Sequence, residues 1–239
     1  MNMIERIVAF AAAPHSLPPE VRANAARLLA DTLASGAAGA ASREAAPLAD
    51  VVAGWGTGAE ARSLGGGFLP APSAAYFNAF SIHCLEWDAV HEPAVVHALS
   101  VVTAALLASS DRRGGSSPDE FLTALAVGVD VASGLGIAAQ GAMRFFRPAT
   151  AGIIGAALAV ARLEGLDAAR MTNAAGLAYS FLSGTMQAHV EASTALPLQI
   201  ANAARGAISA VDLATAGIDG PHDVLEGPFG YGRLIGPVG

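Results

Sequence analysis

Much of the apolar content of this chain is alanine. Hydrophobic residues make up 53% of the sequence but aromatic residues only 6%, so the interior cannot be filled by bulky side chains layered between sheets. It must be closed by backbones that approach one another, which alanine-rich helices do well. The expected fold is all-α, with about nine to twelve helices and no significant sheet. No shift of composition divides the 239 residues, so a single helical domain over 1–239 is predicted.

Helix boundaries can be read from the punctuation. Pro18 and Pro19 sit at a first turn, after which Val21, Ala25, Leu28, Thr32 and Leu33 recur at helical steps until Gly36 and Gly39, predicting an amphipathic helix. Ser117-Pro118-Asp119-Glu120 is a capping box opening a helix toward Gln140. Asp167 is placed to cap a helix through Tyr179, Pro148 to open one through Arg162, and Pro197 to open one ending at Gly217. From Pro72, the residues Tyr76, Phe80, His83 and Trp87 share one helical face. Gly65-Gly66-Gly67 lacks the Lys-Ser/Thr of a phosphate loop and is read as a connector. Gly128, Gly134, Gly136, Gly141, Gly152 and Gly155 fall inside helical segments, where each costs about 1 kcal/mol relative to alanine unless helices must approach closely.

Several function classes are disfavoured. The mean hydropathy is +0.47, yet no unbroken run of about 18 strongly apolar residues is present, and the first residues, with Glu5 and Arg6, do not read as a secretory leader. A soluble cytoplasmic protein is expected. The single cysteine, Cys84, reads as a free buried thiol. A net charge of −7 without a basic cluster argues against nucleic acid and leaves small molecules as partners. All 13 basic residues are arginines, so no step in this chain can use a lysine.

The chemistry-bearing residues concentrate between His83 and His97. Three of the six histidines (His83, His91 and His97), together with Glu86, Asp88 and Glu92, fall in this stretch of a protein with 14% charged residues. Such pairs of carboxylate and imidazole suit acid/base work. Metal ligation by His83, Glu86, His91 and His97 matches no defined spacing, so no metal is expected.

This same stretch resembles the MmgE/PrpD family. Asn78-Ala79-Phe80-Ser81-Ile82-His83-Cys84-Leu85-Glu86-Trp87-Asp88-Ala89-Val90-His91 follows the family's Asn-Gly-x-x-x-His-x-Leu-Asp-Phe-Asp-Asp-Thr-His, and Val96-His97-Ala98-Leu99-Ser100 follows its His-Pro-Ser. Further similarity lies in Gly128 to Ala132, Phe146 to Gly152, Gly184 to Gln187, Asn202 to Arg205 and Val224 to Gly230. The resemblance implies a homodimeric helical domain that in the family is joined to a smaller α/β lid, here expected to be absent. It further implies a lyase or isomerase handling carboxylates without metal or organic cofactor.

Departures from the family pattern bear on the site. Glu86 stands at the family's active-site aspartate, Val90 at the following threonine and Arg147 at a histidine; Leu196 and Gln199 replace a lysine and its histidine. The resemblance then implies His97 as the acid/base, Glu86 or Asp88 as the group orienting it, and Arg147 as a clamp for a substrate anion. His83, His91, Val90 and Leu196 are expected to line the pocket, which lies where the segment ending at Trp87, the helix after His97 and the Phe146-Arg147-Pro148 turn converge. A larger and less charged substrate than a tricarboxylate, as in specialised metabolism, fits these replacements. The alternative is a non-catalytic or regulatory subunit that binds a lid-bearing partner.

Overall fold

The computed structural model describes residues 1–235; the last four residues of the predicted domain lie outside them. The elements run α1 (Met3–Ala12), α2 (Pro19–Ala40), α3 (Ala45–Ala53), β1 (Ala61–Arg62), β2 (Phe68–Leu69), α4 (Ala71–His83), α5 (Ala98–Arg112), α6 (Pro118–Ala138), α7 (Arg147–Leu163), α8 (Ala168–Ser180), α9 (Gln187–Val190), α10 (Ala195–Thr215) and α11 (Tyr231–Leu234). Helices carry the fold, as the composition requires. The two strands form only a small antiparallel hairpin, Ala61 opposite Leu69 and Arg62 opposite Phe68. The glycine run is its turn, with Gly66 and Gly67 at positive φ.

The predicted caps form where their chemistry requires. The Ser117 side chain accepts from the Glu120 N–H while Glu120 reaches back to the Ser117 N–H, and Asp167 caps α8 through the Arg170 N–H. A second capping box, Asn2 with Glu5, starts α1.

Helix α7 is the centre of the molecule. Every residue from Pro148 to Ala161 is buried, and the helix packs against α5, α6, α8 and α10. Small residues make this possible. A methyl on Gly155 would sit 2.4 Å from the Gly128 carbonyl oxygen of α6, and one on Gly152 would meet Val101 of α5 at 2.9 Å. Gly128, Gly136, Gly152 and Gly155 therefore mark close approaches, whose dispersion contacts offset their propensity cost; Gly134 faces open space, and Gly141, expected inside a helix, lies beyond the end of α6 at positive φ.

Two expectations are corrected here. The face of α2 turned to the core is Thr32, Ser35, Gly36 and Gly39, and the helix continues through both glycines; Val21 and Leu28 stay 40% and 36% exposed. The closest approach decides which face is buried: Gly39 abuts the Ser81 carbonyl of α4 so tightly that a methyl there would overlap it. Likewise α6 is, by length and a mean hydropathy of 1.8, apolar enough to cross a membrane, although 67% of that stretch is buried. Its charged residues interrupt the apolar run in the sequence, and it serves as a core helix against α7.

Replacing Gly155 with valine forces α6 and α7 apart. Gly155→Val should cost about 3 kcal/mol and lower the melting temperature by roughly 6–12 °C for a chain of this size. A calorimetric melt unchanged from the parent would contradict the close crossing.

Candidate functional site

The site begins where α4 ends. Continued as a helix, the chain would carry Asp88 away from His83, but the backbone turns: the Glu86 N–H donates to the His83 carbonyl at 2.8 Å and Glu86 adopts a left-handed φ of 52°. This corrects the expectation of a helix through Trp87, which lies beyond the turn and is 68% exposed. The reversal delivers Asp88 beneath His83. The chain then closes a loop from His91 to Val96, with the His91 N–H donating to the Val96 carbonyl at 2.9 Å, and enters α5 at His97.

Asp88 collects three donors. His83 Nδ1 lies 3.0 Å from one of its oxygens and His97 Nδ1 3.1 Å from the other, while the Ser100 hydroxyl donates to that second oxygen. The carboxylate side chain is fully buried and His83 is 1% exposed. Burial pushes the Asp88 carboxyl up, but the bonds from His83 and His97 outweigh it and hold the group well below the usual carboxylate range. Burial pulls the His97 imidazole down, yet its bond to Asp88 leaves it above the ordinary histidine value. With an ionised Asp88 accepting, the proton of each imidazole sits on Nδ1. His83 Nε2 is then a buried atom with no hydrogen-bond partner.

His83 is one of the residues around a cavity of about 190 Å³, with Glu86, Val95, His97, Met143, Phe146, Pro148, Met186, His189 and Leu196. Its far wall is held by pairing between two distant segments: the Phe146 N–H donates to the Gly184 carbonyl and the Met186 N–H to the Arg144 carbonyl, both at 3.1 Å. The three regions expected to converge do so. An adjoining cavity of about 380 Å³ shares Glu86, His189 and Leu196 with the first. Strain concentrates here too. Among the described residues, the non-glycine positions at positive φ are Glu86, Val95 and Ala192, and each lines one or both cavities.

The expected site residues separate into two groups. His97, Glu86, His83 and Leu196 line the inner cavity, with Asp88 behind the two imidazoles. Arg147, Val90 and His91 are elsewhere. The Arg147 guanidinium donates to the Ala94 carbonyl at 3.1 Å, securing the His91–Val96 loop instead of facing the cavity. Val90 is exposed, and His91 accepts from the Ala94 N–H and lines a different cavity with Val21, Leu28 and Leu99. Cys84 is half-buried and belongs to the outer cavity, where burial pushes its thiol up. Ser100, Met143, Met186 and His189 were not anticipated as site residues. Ser100 follows His97 by three residues, a helical step that could have flagged it; the others come together only in space.

One carboxylate and two imidazoles could also hold a metal ion, since one ligand atom from each of His83, Asp88 and His97 lies within 4.8 Å of the others. An ion there would have to displace the bonds that join these groups, and Glu86 would not be among its ligands.

The sequence matches the model of the MmgE/PrpD N-terminal domain over residues 6–237. The chain belongs to the MmgE/PrpD family. Human cis-aconitate decarboxylase is 32% identical over 172 residues, 70% of this chain and 35% of its own length. The mouse protein of the same name is 30% identical over 173 residues, again 70% and 35%. The matched stretch thus spans about a third of these relatives.

Asp88 and His97 give pH-dependent stability of opposite sign. With its pKa lowered, Asp88 stabilises the fold above the unfolded value of about 3.9, and that contribution is lost as pH falls toward its folded value. With its pKa raised, His97 adds stability below about 6.5, lost as pH rises through its folded value. Asp88→Asn should remove both dependences and cost about 3 kcal/mol, the scale for stripping one partner from a buried ion pair. Urea unfolding at a series of pH values checks this; a variant with the parent's pH profile would contradict the arrangement.

Proposed function

We propose that this chain is an acid/base lyase or isomerase in which His97 and His83 divide proton donation and removal at a substrate carbon beside a carboxylate. The observation that carries this reading is the single buried carboxylate fixing both imidazoles through Nδ1, which presents their Nε2 atoms as the reactive pair. The rings stand edge to face with centroids 4.8 Å apart, so one substrate atom can be within reach of both.

Roles follow from environment. His97, partly open and with its protonated form favoured by Asp88, supplies the proton and the positive charge that holds a carboxylate. His83, buried and with Nε2 unpartnered, accepts the proton from the substrate carbon. The electron pair of the broken C–H bond forms a new double bond as the leaving hydroxyl takes the His97 proton and departs as water. In a decarboxylation the C–C pair goes instead toward the adjacent unsaturation, and His97 protonates the resulting carbon. Both courses need only proton transfers and a stabilised negative charge. The relatives' name, cis-aconitate decarboxylase, supports this class of chemistry; the substrate here is a separate question.

Within this reading Asp88 is a positioning residue, Glu86 faces the substrate from the cavity's neck, and Arg147 supports the loop. We further propose a cytoplasmic homodimer, with the exposed apolar side chains of α2, Val21 and Leu28, covered by the second copy.

Proton abstraction can be followed without knowing the final product. Incubated in deuterium oxide with small unsaturated and hydroxy carboxylic acids, the protein should exchange an α or γ hydrogen of at least one, read by proton NMR. His97→Ala, which removes the positive charge that holds the carboxylate while His83 takes the proton, should slow that exchange about a hundredfold or more, with a lowered but still cooperative melt showing that the variant folds. Binding without exchange in the parent protein would instead indicate the non-catalytic subunit.

A further inference from the structure

The spacing of His83, Glu86, His91 and His97 along the chain matches no metal site, but the fold draws together a different set. Glu86 lines the two adjoining cavities and His91 a third, while the turn at Glu86 brings Asp88 to both His83 and His97. Both Nδ1 atoms lie 3.1 Å from the same Asp88 oxygen, and one ligand atom from each of the three residues lies within 4.8 Å of the others. Ligands that share one zinc ion at about 2.1 Å sit roughly 3.4 Å apart at a tetrahedral angle. The spacing that serves the two hydrogen bonds is thus close to that of a coordination shell, and an ion can take the place of the Nδ1 protons through small rotations of the two rings.

The donor set fixes the class of ion. Two imidazoles and one carboxylate suit zinc and its first-row neighbours, whereas magnesium and calcium take shells built of oxygen. Asp88 is ionised and its side chain fully buried, so it has no proton to lose on binding. The Ser100 hydroxyl donates to the oxygen that both imidazoles share, the outer support that a metal-binding carboxylate commonly has. The His97 side chain is 20% exposed, and the 190 Å³ cavity that it lines with His83 gives an ion a way in and room for a fourth ligand, a water or a carboxylate.

We propose that His83, Asp88 and His97 form a binding site for a divalent transition metal, held through the two Nδ1 atoms and an Asp88 oxygen, and that the bound ion excludes the acid/base form of the imidazole pair. Coordination takes the Nδ1 lone pairs. The His83 proton passes to Nε2; His97 keeps a proton on Nε2 and, where doubly protonated, releases the other to solvent. Neither Nε2 is then a base, so the loaded chain is switched off. The binding stands on the geometry alone, and only the switching rests on the acid/base reading.

Zinc is the probe. Titrated calorimetrically into the full chain after chelator treatment, it should bind one ion per chain with a dissociation constant of about 1 µM or below. His97→Ala, whose cooperative melt shows that it folds, should weaken that binding by at least about a hundredfold, the upper end of what loss of an outer-shell partner costs. His222→Gln, at an exposed histidine far along the chain, should bind as the parent does. Long-range nitrogen-15 NMR should show both rings passing from Nδ1-protonated to Nε2-protonated as zinc is added. No binding at about 100 µM zinc, binding undiminished in His97→Ala, or zinc bound with both rings still protonated at Nδ1 overturns the proposal. Deuterium exchange separates the two readings: zinc should abolish it, and exchange that persists in the loaded chain sinks the acid/base roles of the pair while the metal site stands.

Discussion

One buried carboxylate organises the functional end of this protein. Asp88 accepts from His83 at the end of α4, and from His97 and Ser100 at the start of α5, so it ties two helices and the loop between them to one point. A carboxylate enclosed this fully would be costly without partners. Here three donors satisfy it, and the arrangement works in both directions: the donors keep Asp88 ionised, and the ionised Asp88 sets the tautomer of both imidazoles and favours the protonated form of His97. The fold and the geometry of the candidate site share one cause.

The helical frame makes such a placement possible because it is close-packed on small residues. Glycine-to-backbone crossings between α6 and α7, and between α2 and α4, leave little freedom for the helices to slide. The positions of His83 and His97 are then held firmly, as the proposed acid/base transfer requires. Against this rigidity stand the three left-handed residues Glu86, Val95 and Ala192, all in the walls of the cleft. They mark where the chain leaves regular structure to shape a cavity, and the surrounding packing sustains the strain.

Much of the frame was legible in the sequence, since caps and prolines act locally. Ser117, Asp167 and the prolines opening α2 and α7 mark helix starts through bonds made within a turn or two. The burial of α2 was not legible, because periodicity ranks hydrophobicity whereas the helix docks by closest approach through Gly36 and Gly39. At the site, His97, His83, Glu86, Asp88 and Leu196 could be named from their clustering and family resemblance. Arg147 could not be oriented from sequence, because the Ala94 carbonyl that claims its guanidinium lies 53 residues away. His189 and Met143 reach the cavity only through the pairing of 144–146 with 184–186, a contact with no local signature.

The central claim is that Asp88 fixes both imidazoles through Nδ1 and leaves their Nε2 atoms free of its hydrogen bonds. Long-range nitrogen-15 NMR of the histidine side chains distinguishes the two neutral tautomers and the protonated ring directly. The account predicts His83 protonated at Nδ1 with a free Nε2, and His97 carrying its Nδ1 proton at every pH where the fold persists. A His83 or His97 found as the Nε2-protonated tautomer would contradict it.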